Sequence, residues 1–152
     1  QRDRMDQSHL DRAELLLETV GLAYLSTRHF GECSQGERQR ILLARAVMPD
    51  PELLLLHDPA SGLDLPSREQ LVSALDTMAR GKPGLTTITV THHLEEIPPS
   101  TTHAMLIKDR HILAEGPVAD VLTDALVSDC FDVPVAVGHL NQRWSATLRI
   151  SG

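Results

Sequence analysis

Positive charge is scarce in this sequence: 14 Lys and Arg against 21 Asp and Glu leave a formal net charge of −7. A chain so biased repels phosphate backbones, which excludes a general nucleic-acid binder. Arg38, Arg40 and Arg45 make a local basic stripe, read as a solvated helix face. Cysteine is scarcer still, with only Cys33 and Cys130. The two lie far apart, have no metal-ligand spacing, and read as reduced thiols of a cytosolic protein. No apolar run approaches the length needed to cross a bilayer, and no signal peptide opens the chain. Internal repeats, low-complexity segments and obvious linkers are missing as well. What remains is ordinary: 41% hydrophobic and 23% charged residues in a chain of 152, enough for one domain or part of a larger one. The first residue is Gln1, from which a cut or processed piece is expected.

Apolar residues at Leu10, Ala13, Leu16, Leu17 and Val20 have helical spacing, and Gly21 is a suitable stop. In "CSQGERQRILLARAVM" (33–48), Ser34 followed by Glu37 is a capping-box pattern, so a helix is predicted from about Ser34 to the prolines at 49 and 51. Four consecutive leucines, 53–56, predict a fully buried strand. Pro66 suits the first turn of the next helix, which Gly81 ends. "TTITVT" (86–91) is β-branched and predicts a second strand. "HAMLIK" and "HILAEG" predict a hairpin turning at Asp109-Arg110. A short helix from Pro117 to about Leu126 and mixed β segments over 133–150 complete the reading.

Helix, buried strand, helix, buried strand is the rhythm of a parallel sheet with helical crossovers, where ligands gather at the carboxyl ends of strands. His57, Asp58, His92 and His93 fall at such ends. A transition-metal site built from His57, His92 and His93 is disfavoured, because no carboxylate or cysteine completes a known spacing.

Three motifs, in order, resemble the ATP-binding subunit of ABC transporters: "CSQGERQR" its signature segment, "LLLLHDPASGLD" (53–64) its Walker B strand and D-loop, and "TVTHH" (89–93) its switch-histidine segment. The resemblance implies an α/β, P-loop NTPase-like core with a mainly parallel sheet and helical crossovers, part of the helical subdomain, and a small C-terminal β hairpin. It further implies ATP and Mg²⁺ as cofactors. Ser34, Gln35, Gly36 and Glu37 would contact nucleotide held by the opposite subunit, since a helix N-terminus offers N–H groups to phosphate. Asp64 would lie across the dimer interface, Asp58 would serve as catalytic base, and His92 would sense the γ-phosphate.

The departures carry information too. Counting back from Asp64 places the family's metal-binding Asp at His57, and an imidazole is a poor partner for Mg²⁺. Asp58 stands one methylene short of the usual Glu and, by strand alternation, is expected on the opposite face from His57. Cys33 replaces a leucine. Nowhere in the chain is there a G-x-x-x-x-G-K-[ST] phosphate loop, nor a Q-loop. The expected organisation is therefore a partial nucleotide-binding domain, with 1–48 as helical subdomain and signature helix and 49–152 as the second half of the core. The function implied is the ATP-hydrolysing subunit of a transporter, with a degenerate Walker B and inactive on its own. The alternative is a non-transport ABC protein or a degenerate partner lending signature and D-loop in trans. A second nucleotide-binding subunit and a transmembrane permease are the implied partners, at the cytoplasmic face of the cell membrane, with no nucleic acid.

Overall fold

The computed structural model describes residues 6–149 and divides after Thr91 into two compact units. The first holds helix α1 (Gln7–Thr19), two short 3₁₀ turns, helix α2 (Gln35–Val47), strand β1 (Leu53–His57), helix α3 (Leu65–Gly81) and strand β2 (Thr86–Val90). Strands β1 and β2 pair in parallel, Leu53 opposite Thr86 and His57 opposite Val90, with α3 as the crossover. Ser34 and Glu37 form the complete capping box at the start of α2. Gly21 stops α1 by taking φ +70°, a conformation that costs glycine nothing.

Leu54 of β1 packs with Val20, Leu43, Val47, Leu71, Leu75 and Met78 in the core of this unit, each such side chain contributing about 1.5–3 kcal/mol by leaving water. Two arginines fasten the helices. Arg12 of α1 donates from Nε to the carbonyl of Met48 (2.8 Å) and from Nη2 to that of Val47 (3.2 Å), closing the C-terminal end of α2. Arg40 is buried and donates to the carbonyl of Val20 at 3.0 Å. The expected solvated stripe is thereby overturned: at about 100° per residue, Arg38 and Arg40 point to nearly opposite sides of α2. Arg38 instead donates back to the carbonyls of Phe30 and Gly31.

The strand of leucines is also not buried on both sides. Leu54 is buried and Leu56 half-buried, whereas Leu53 and Leu55 are 49% and 66% exposed, as are Ile88 and Val90 of β2 at 49% and 54%. Helices α2 and α3 pack on the Leu54 face of the pair, and no element of the first unit's described residues buries the other.

The second unit holds strands β3 (His103–Lys108) and β4 (His111–Pro117), helices α4 (Val118–Val121) and α5 (Asp124–Phe131), and strands β5 (Val135–Leu140) and β6 (Arg143–Leu148). Both strand pairs are antiparallel hairpins. Their two-residue tips, Asp109-Arg110 and Asn141-Gln142, have positive φ throughout, the geometry that matches strand twist. The single helix predicted from Pro117 to Leu126 is two: Leu122 leaves helical geometry, and Thr123 caps α5 by accepting from the Leu126 N–H. Leu94, Leu122, Val127 and Val135 form this unit's core. Lys108 joins Asp129 (2.9 Å) and Asp132 (2.6 Å), tying β3 to α5, and both hydrogen bonds push its pKa up. No helix among the described residues is long and apolar enough to cross a membrane.

Candidate functional site

A capping box organises the segment at the start of α2. Ser34 N–H donates to Glu37 Oε2 at 2.7 Å, and Glu37 N–H donates to Ser34 Oγ at 3.2 Å. Tyr24, which nothing in the sequence marked, donates its hydroxyl to Glu37 Oε1 at 2.8 Å. The Ser34 backbone N–H, then the Tyr24 hydroxyl, hold the Glu37 carboxyl below its usual range, and the same bond raises the Tyr24 pKa. Glu37 is thus an anion turned back onto its own helix start. Cys33 is buried, with its thiol 3.6 Å from the His29 carbonyl, and acts as a small hydrophobe.

Asp64 does the same work one helix later. Its Oδ1 accepts from the Ser67 N–H at 2.9 Å, capping α3. The Ser67 hydroxyl, then its N–H, hold the Asp64 carboxyl below the usual range. The two helix starts are neighbours. A methyl placed on Gly36 would stand 2.5 Å from Ser67 Oγ and 2.6 Å from its Cβ, and one placed on Gly62 would stand 3.2 Å from Gln35 Nε2. Ser34 to Glu37 and Gly62 to Ser67 therefore occupy one continuous patch of the first unit. Ser67 and Gly62, like Tyr24, escaped the sequence reading because their contacts are made across the fold.

At the strand end, Asp58 N–H donates to the Val90 carbonyl at 2.8 Å, so the ladder runs one residue past β1. Asp58 then turns, with φ +43°. That turn cancels the alternation expected for it: the carboxylate swings to 3.8 Å from His57 Nδ1. The His57 side chain is 81% exposed, so the contact is a weak one. Among the described residues no group of three His, Cys, Asp or Glu could hold a metal ion. A cleft of ≈ 210 Å³ beside His57 and Asp58 is walled mainly by Leu42, Leu43, Leu55 and Leu71. It is smaller than the roughly 300 Å³ at which ligand pockets begin, and mostly apolar.

His92 opens the second unit. It is exposed, its ring lies 4.2 Å from that of His93 at 41°, and both border a cleft of ≈ 370 Å³ with Phe131, Val133 and Leu148.

Comparison with known proteins places the chain in a family. The ABC transporter family model matches residues 2–61, a span that includes the capped turn at Ser34 and the end of β1. The ABC transporter ATP-binding protein YlmA of Bacillus subtilis is 40% identical over 127 residues, 84% of this chain and 48% of that protein. The chain belongs to the ABC transporter ATP-binding family. YmeB of Lactococcus lactis, another ABC transporter ATP-binding protein, is 33% identical over 89% of the chain and 52% of its own length. The chain thus spans about half the length of the curated relatives it matches. An inward-facing ABC transporter superposes with TM-score 0.79 at 23% identity, covering 99% of this chain and 61% of that one. The ADP conformation of an ATP-binding cassette gives 0.71 at 22%, covering 85% and 52%. The fold is the α/β, P-loop NTPase-like architecture of ABC ATPases.

Proposed function

We propose that this chain serves in an ABC transporter's ATP-binding subunit as the part that presents signature and D-loop to nucleotide held by a second such subunit. The observation that carries it is the shared patch of Ser34–Glu37 and Gly62–Ser67: two segments far apart in sequence, both at helix starts, side by side on one surface. ATP, when bound, supplies the phosphoryl group whose loss to water drives transport. Toward it, Ser34 offers its hydroxyl, and Gln35 and Gly36 their backbone N–H groups in the first turn of α2. Glu37 is the capping anion of that end, its carboxylate held by the Ser34 N–H and the Tyr24 hydroxyl.

The residues at the strand end fit Mg²⁺ poorly. His57 supplies neither charge nor a hard oxygen, and Asp58 is the nearest acid. In this reading Asp58 is a displaced base, His92 is the switch residue, and the site that this chain's own strand end would build is slow or silent. Residues 1–48 act as helical subdomain and 49–152 as core. A second nucleotide-binding subunit and a membrane permease are the partners, at the cytoplasmic face.

The test is recovery of the tagged chain from membranes. It should bring with it a membrane permease and a nucleotide-binding subunit. In that complex Ser34→Arg, at an exposed position, should abolish turnover and spare ATP binding. Equal loss of both, or recovery without a membrane partner, would overturn the reading.

A further inference from the structure

Gly36 has a structural reason to be glycine that does not involve nucleotide. Its missing side chain leaves the notch that Ser67 fills: a methyl there would sit 2.5 Å from Ser67 Oγ, 2.6 Å from Cβ and 3.5 Å from Cα. Separations under about 3 Å between such atoms are far inside van der Waals contact. Ser67 Cβ is not a mobile side-chain tip, so neither partner can yield without moving a helix. Ser67 has a second attachment, since its backbone N–H donates to Asp64 Oδ1 at 2.9 Å. The chain of contacts runs from the D-loop acid through Ser67 to the signature glycine. Next to it, Gln35 lies against Gly62, whose φ of +73° disfavours any side chain.

We propose that Ser67 is a positioning residue: held by Asp64 and seated in the Gly36 notch, it fixes the spacing between signature turn and D-loop so that both reach one nucleotide together. This rests on the trans reading given under Proposed function. It predicts a specific pattern of rescue. Gly36→Ala introduces the clash. Adding Ser67→Gly removes both offending atoms and leaves only the 3.5 Å contact with Cα. Adding Ser67→Ala removes Oγ but leaves Cβ at 2.6 Å, so it cannot rescue.

The experiment has two arms. In the first, amide hydrogen exchange on the chain alone is followed at residues 35–37 and 64–67. Gly36→Ala should speed exchange at both segments by about tenfold or more, the pair with Ser67→Gly should return it to within about threefold of Ser67→Gly alone, and the pair with Ser67→Ala should not. In the second, the membrane complex is assayed for ATP turnover and for ATP affinity. Gly36→Ala should cut turnover at least tenfold with affinity unchanged, and only Ser67→Gly should rescue it. Exchange that responds at one segment only, or no rescue by Ser67→Gly, overturns the lock. Rescue of exchange without any change in turnover overturns the positioning role. A parent complex that shows no turnover refutes the trans reading, while the exchange arm still decides the lock.

Discussion

Replacing Ser34 by alanine deletes one arm of the capping box and leaves the other. The lost arm is the bond from Glu37 N–H to Ser34 Oγ at 3.2 Å; the bonds from Ser34 N–H and Tyr24 to the Glu37 carboxylate remain, at 2.7 and 2.8 Å. Removing a Ser or Thr cap costs about 1 kcal/mol, or about 2–4 °C in melting temperature for a chain of this size. Ser34→Thr keeps the acceptor and should cost at most a few tenths of that. The surviving arm carries a pH signature. Because Ser34 and Tyr24 lower the Glu37 pKa in the folded state, the unfolded chain binds the proton more tightly. The stabilisation is fully present above the ordinary carboxylate pKa and is lost as pH falls through the lowered folded value. Glu37→Gln, which can still close a capping box, should remove that acid-side loss. Thermal melts followed by circular dichroism at a series of pH values from neutral to about 3 read both effects. A Ser34→Ala cost indistinguishable from zero, or an acid limb unchanged by Glu37→Gln, would show that the box contributes nothing in solution.

Two further outcomes are expected. In the membrane complex, His57→Asp with Asp58→Glu should raise turnover above the parent by adding hydrolysis at the site built by this strand end, whereas Asp58→Glu alone should not; steady-state ATPase measures it, and a double variant no faster than the parent refutes it. The left-handed Asp58 backbone (φ +43°) adds a stability loss of about 1 kcal/mol for any Glu at that position. Leu55→Lys, on the bare sheet face, should change stability by less than about 0.5 kcal/mol while weakening self-association in sedimentation velocity. A monomeric parent would refute that expectation.

Local features were legible in the sequence. The Ser34–Glu37 box and the Asp109-Arg110 hairpin are written within a few residues, and each folded as its spacing dictates. The break at Leu122 had a local signal that went unread: Thr123, a favoured cap, opens a fresh turn at Asp124. What could not be read depends on distant chain. Four leucines record a preference for burial, but which of them are covered depends on helices elsewhere, and only Leu54 is buried outright. Arg40 looked like surface because no local rule reports that the end of α1 offers it a carbonyl. Asp58 departs from strand alternation because aspartate tolerates a left-handed turn, which strand periodicity does not register. At the candidate site, the residue types at the helix starts were readable and their adjacency was not: nothing local to Gly36 names Ser67.

The exposed face of β1 and β2 also sets how it would meet a cover. Leu53, Leu55, Ile88 and Val90 lie in one row on that face, so a single layer of apolar side chains laid over it would draw all of them from water together. Such a cover would dock in one cooperative step rather than residue by residue.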